Sequence, residues 1–186
     1  PADPSGGLPL KKRPLPSAFY MVRTARQAGA VLAWLEEQCQ GGSADGVQGR
    51  GPSSEDVTRA LDSGKEQGES GTAFCEKNGK PPAALILDGG LLEESTPAKK
   101  ERADLLRTAG ERNIPVFAAL PYIFRESDRA WISRFYEENA ENFYGFVTRN
   151  PEELEFLREK EYDKTVLADS MLYVWNEESE KVLGRF

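Results

Sequence analysis

The chain has 186 residues, enough for one ordinary domain with a real core and short of the roughly 250 residues of a complete (β/α)8 barrel. Hydrophobic residues make up 39% and charged residues 30%, and no apolar run approaches the ~20 residues that cross a bilayer, so the expectation is a soluble, cytoplasmic protein with no membrane partner. The formal net charge of -7 repels a polyphosphate backbone and disfavours nucleic acid, and the absence of histidine excludes Ser-His-Asp and Cys-His nucleophile activation within these residues.

Residues 1–16 are a Pro- and Gly-rich lead that carries Lys11, Lys12 and Arg13 but no apolar segment after them, so no secretion signal is read there. Residues 17–186 are expected to form a single α/β domain. Ala18 to Val22 is a β-prone run, and Thr24 with Gln27 three residues later is a capping-box pattern. Ala28, Val31, Leu32 and Leu35 then recur at helical spacing, which predicts a helix from Arg26 to about Gln38 with one face on a sheet. From about 41 to 71, Gly, Ser, Asp and Glu dominate, and the stretch is read as a surface insert with one short helix from Ser54 to Leu61.

Beyond the insert one pattern repeats. Ala83 to Leu87 is a buried-strand run ending at Asp88-Gly89-Gly90, and Thr96-Pro97 opens a helix through about Arg112. Pro115 to Leu120 predicts a third strand, followed by a helix that Ser127 caps and that carries Trp131, Phe135 and Tyr136 as core aromatics. Tyr144 to Thr148 is a fourth strand, with Asn150, Pro151 and two glutamates opening the next helix. Lys164 to Ala168 is the fifth, and a last short helix starts near Asn176. Cys39 and Cys75 fit no paired or metal-spaced pattern and are read as reduced thiols, with Cys75 inert.

Strands alternating with helices at this interval require parallel pairing, so the fold class is α/β: a mostly parallel sheet of about five βα units, like an incomplete TIM barrel. In such folds function gathers where strands end. The candidate rim residues are Asp88, Arg125, Arg149 and Asp169. The aspartates either work as an acid and base, hold a cationic group, or cap loop amides, with capping the plainer role. The arginines either clamp a carboxylate or phosphate with their planar forks or form salt bridges to Asp88 or Asp169. Asn150 and Asn176 are expected as helix caps, and Asp88-Gly89-Gly90 lacks the spacing of a phosphate loop. No residue is assigned as catalytic, and no cofactor or metal is expected.

Leu120-Pro121-Tyr122-Ile123-Phe124-Arg125 resembles the "LPxIxR" strand end of the collagenase-like peptidases of unassigned catalytic type, the family classed as U thirty-two. Gly145 to Asn150 (GFVTRN) is similar to that family's "GxxVRN" strand, and Ala168 to Asn176 (ADSMLYVWN) to its "ADYSLNVFN" segment. Order and spacing agree from about Ala118 to Asn176. Tyr173 stands where the family has Asn, and Ser170-Met171 replaces its Tyr-Ser pair. The resemblance implies a region of a peptidase acting on peptide or protein substrates. The family's cysteine-containing signature follows the matched segment, which implies that this chain partners the rest of a larger parent and is inactive alone. Relatives are also implicated in hydroxylating RNA, so part of an RNA-modifying protein is a second expectation, and a non-catalytic scaffold a third.

Overall fold

The computed structural model describes residues 15–16, 18–40, 83–170, 172 and 181, with the backbone alone for 37–40. The insert at 41–71 with its short helix, Cys75, Asn176 and the last helix lie outside the described residues, as does nearly all of the lead. Among the described residues five strands form one sheet in the order β1-β2-β3-β4-β5, alternating with helices. The registered pairings are parallel, as expected from the alternation. No described helix is long and apolar enough to cross a membrane.

The chain divides into two compact units between Val116 and Phe117. In the first, β1 (Ala18–Val22) pairs with β2 (Ala83–Leu87), with Ala18 opposite Ala83 and Val22 opposite Leu87. Between them runs α1 (Ala25–Gln40), which buries the predicted Ala28, Val31, Leu32 and Leu35. Thr24 Oγ1 accepts the Gln27 N–H at 3.2 Å and the Gln27 side chain accepts the Arg23 N–H at 2.8 Å, so the capping box closes one residue earlier than its usual form. Every residue of β2 is buried, and Leu85 and Leu87, both at 0% exposure, each contribute roughly 1.5–3 kcal/mol of burial. A 3-10 turn (Gly89–Leu92) leads to α2 (Thr96–Glu111), which Ser95 caps from its hydroxyl.

The second unit takes up β3 (Val116–Ala119) from Phe117, then α3 (Arg129–Asn139), β4 (Gly145–Thr148), α4 (Pro151–Glu159) and β5 (Thr165–Ala168). Phe117 lies opposite Gly145, and Gly145 opposite Thr165. Phe135, Phe143, Phe146, Phe156 and Tyr162 are buried with ring centroids 5.1–6.1 Å from their neighbours, while Tyr136 packs half-buried among them. Ser127, expected to cap α3, sits instead inside a 3-10 turn (Glu126–Asp128) that precedes the helix. The Asp128 carboxylate, a stronger acceptor than a hydroxyl, takes the Arg125 N–H at 3.2 Å and closes that turn.

Helices α2 and α4 end alike. Ile114 N–H reaches Ala109 O at 2.9 Å and Asn113 N–H reaches Gly110 O at 3.1 Å, while Tyr162 N–H reaches Leu157 O at 3.0 Å and Glu161 N–H reaches Arg158 O at 3.1 Å. Both are Schellman closures, and both need a left-handed residue, Asn113 at φ 55° and Glu161 at φ 52°. Asparagine tolerates that conformation; an exposed glutamate carries strain of roughly 1 kcal/mol. Glu161→Gly should therefore raise stability by up to about 1 kcal/mol, the glycine's unfolded-state entropy offsetting part of the gain. A lower urea midpoint for the variant would show that the Glu161 side chain makes up for its backbone.

Candidate functional site

The carboxyl end of β4 delivers Arg149, a guanidinium at 1% side-chain exposure. Its Nε donates to Asp169 Oδ2 at 3.0 Å, and its Nη1 donates to Leu120 O at 3.0 Å. The Tyr122 ring covers its face with the guanidinium carbon 3.8 Å from the centroid. The residue's own N–H donates to Glu153 Oε2 at 2.6 Å. One side chain thus ties the ends of β3, β4 and β5 together. Breaking a pair this buried costs roughly 3–5 kcal/mol, so an incoming anion would have to replace Asp169 before it could use this fork.

Asp169 is placed by register. Thr148 lies opposite Ala168, so the next residues, Arg149 and Asp169, stand side by side, and Asp169 N–H continues the ladder to Thr148 O at 2.8 Å. Partial burial works against its charged form, but hydrogen bonds from Arg149 and Ser170 and the Arg149 charge outweigh it and hold the carboxyl below the usual aspartate value. Asn150 caps α4 as expected, its Oδ1 accepting the Glu153 N–H at 3.0 Å, which is worth about 1 kcal/mol.

Glu153 lies at 0% exposure on the first turn of α4. One oxygen accepts the Arg149 N–H and the other, Oε1, has no hydrogen-bond partner. Burial raises its carboxyl to about 7 against the opposing pull of the Arg149 and Asn150 N–H groups and the Arg149 charge.

The first unit holds a second version of the same construction. Val22 lies opposite Leu87, so Arg23 stands beside Asp88, whose N–H continues the ladder to Val22 O at 2.9 Å. Arg23 Nε meets Asp88 Oδ2 at 3.3 Å, while Asp88 Oδ1 accepts the Gly89 N–H at 2.8 Å, the loop-capping role expected of it. Gly89 sits at φ +59°, where a side chain would be strained. Arg23-Thr24-Ala25-Arg26-Gln27 and Arg149-Asn150-Pro151-Glu152-Glu153 therefore align position by position: a strand-end Arg, a cap, and an acceptor that returns to the Arg N–H. The first version is looser, since the Arg23 side chain is 62% exposed and its ion pair is worth no more than ~1 kcal/mol.

Of the four candidates, Arg149 and Asp169 meet directly, and Asp88 is paired by Arg23 in its own unit. Arg125 is exposed, and no carboxylate pairs with its side chain among the described residues. Arg23 and Tyr122 lie in the strand-end loops that the sequence pointed to but carried no assigned role, Arg23 as partner of Asp88 and Tyr122 as the cover of Arg149, while Glu153 was read only as a first-turn acid. The repeated Arg, cap, acceptor spacing after β1 and β4 was the available signal for Arg23 and Glu153. Among the described residues no cluster of three or more Cys, Asp or Glu side chains is placed to hold a metal. No protein-family model, curated protein or solved structure matches the chain.

Proposed function

We propose that this chain is a non-catalytic region of a collagenase-like peptidase, a (β/α) support for a site elsewhere in the parent protein. One observation carries this reading. The three segments that resemble the family meet at Arg149: the LPYIFR segment contributes the Leu120 carbonyl and the Tyr122 ring, GFVTRN the arginine itself, and ADSMLYVWN the Asp169 carboxylate. Every group in that meeting is committed to another, and the result is a lock between strand ends. A guanidinium sealed by carboxylate, carbonyl and ring is poorly suited to seize a substrate carboxylate, and with no histidine in the chain the cluster has no general base of the usual kind. The parent would bind the peptide substrate, in the cytoplasm, where two cysteines outside any paired pattern stay reduced.

The test is proteolysis by the purified chain on gelatin, casein and a quenched fluorescent peptide library. The expected result is no cleavage above the blank. Cleavage that follows the chain through successive purification steps and disappears in Arg149→Ala would put a complete active site at this rim and overturn the reading.

A further inference from the structure

Gln27 and Glu153 occupy the same place in the two versions of the strand-end construction, and their difference is informative. The exposed Gln27 amide gives the main chain what the closure needs, an acceptor for the preceding Arg N–H at 2.8 Å. Glu153 makes the equivalent bond at 2.6 Å, but from full burial and with Oε1 unpartnered. Burying an ionised carboxylate costs several kcal/mol beyond burying an amide, so the capping role explains an acceptor and leaves the choice of an acid unexplained. What the acid adds is a proton that can leave.

The surrounding charges limit what its departure can do. Arg149 is the charged side chain whose field reaches Glu153. Around α4 and α3, Arg158 pairs with Glu155, Arg129 with Glu159 and Lys160 with Glu137. Before β5, Lys164 is held by Glu141 and the Ala140 carbonyl. Glu152 and Arg125 are exposed to water. Asp169 acts on the system through the guanidinium it shares.

We propose that Glu153 is the pH-responsive latch of the β3 to β5 rim: protonated, it leaves Arg149 in its contacts with Asp169, Leu120 and Tyr122; ionised, it draws the guanidinium toward itself, loosens the Asp169 contact and frees the Tyr122 ring. The proton passes to the solvent, and the new buried negative charge finds its counter-ion in the nearest cation instead of remaining bare. Two carboxylates then compete for one guanidinium, as coupled acids around a shared partner do. Burial keeps the Glu153 proton on until about pH 7. The switch therefore operates near neutrality, and opening the rim exposes the aromatic and apolar residues Tyr122 and Ile123 further than their present 49% and 61%.

The experiment is an NMR titration of the full chain from about pH 5 to about pH 9, spanning the ordinary and raised carboxyl ranges. It follows the Arg149 Nε–H, assigned by its loss in Arg149→Lys, together with the Glu153 carboxyl carbon and the Tyr122 ring protons. The expected result is one common midpoint near 7 for all three in the wild type, and Arg149 and Tyr122 signals that no longer move in Glu153→Gln, which the Gln27 precedent predicts will fold. Glu153 titrating while Arg149 and Tyr122 stay still would overturn the proposal without recourse to any variant. So would an Arg149 titration that persists in Glu153→Gln.

Discussion

Gly145→Ala should lower the unfolding free energy by roughly 3 kcal/mol or more, at the upper end of what overpacking a core costs. Gly145 opens β4 between two fixed neighbours, Phe117 on β3 and Thr165 on β5. A methyl group there would overlap the Thr165 carbonyl oxygen and come within 2.7 Å of Phe117 Cε1. Neither can give way cheaply. The carbonyl belongs to a paired strand, and the Phe117 ring, at 0% exposure, is held 5.4 Å from the Tyr144 ring. Gly29, exposed on α1 with nothing within 4 Å of its added methyl, provides the control, because there the same substitution should stabilise the helix by about 1 kcal/mol. Urea midpoints of the two variants should move in opposite directions. An unchanged midpoint for Gly145→Ala would mean that β4 can shift away from its neighbours, contrary to the tight register described above.

The second large effect is a pH dependence. Glu153 has an ordinary value of 4.5 and about 7 in the folded chain. A raised value for an acid means that the folded state keeps a proton the unfolded state has already released across that interval, so folding weakens as pH rises through it. At 1.36 kcal/mol per unit the loss is about 3 kcal/mol, complete above pH 7 and absent below about 4.5. Asp169 has the opposite sign and a different window: its lowered carboxyl contributes stability that is lost only as pH falls below the ordinary aspartate range. Between about pH 5 and about pH 8 the wild-type urea midpoint should therefore fall, while Glu153→Gln stays level. If the variant retains the wild-type slope, the titrating group is another residue.

The strands were readable because each is a short run of mostly apolar residues, and the structure shifts their ends by a single residue at Pro115, Leu120, Tyr144 and Lys164. Helix faces were readable from spacing, as Ala28, Val31, Leu32 and Leu35 show. Partnership was harder. Parallel strands place residues beside each other by register, and register depends on how the pleat of each strand meets the core, which single-chain spacing leaves open. The expectation of an arginine near Asp88 and Asp169 was therefore sound in kind, but only the pairing of Val22 with Leu87 selects Arg23 for Asp88. Glu153 was hidden for a different reason. An acidic residue in a helix's first turn is favourable wherever the turn faces water. Nothing in the sequence distinguishes exposed Glu152 from fully buried Glu153 except the strand-end arrangement around them.

The placement of Arg23 and Arg149 one step beyond the last registered pair of their strands has a consequence for how the chain reaches its fold. Parallel strands joined through a helix come together late, after the entropy of a long connection has been lost, and neighbouring alignments compete at that moment. Apolar strands as uniform as Ala83–Leu87 discriminate poorly between those alignments by themselves, because nearly every residue is acceptable on either face. A slip by one residue would set Arg149 beside Ala168 or Ser170 and leave Asp169 half-dehydrated without its cation. The charged pair thus acts as a proofreading contact: it rewards one alignment and penalises its neighbours, and it does so at the end of the ladder, where an error in any preceding pair would show.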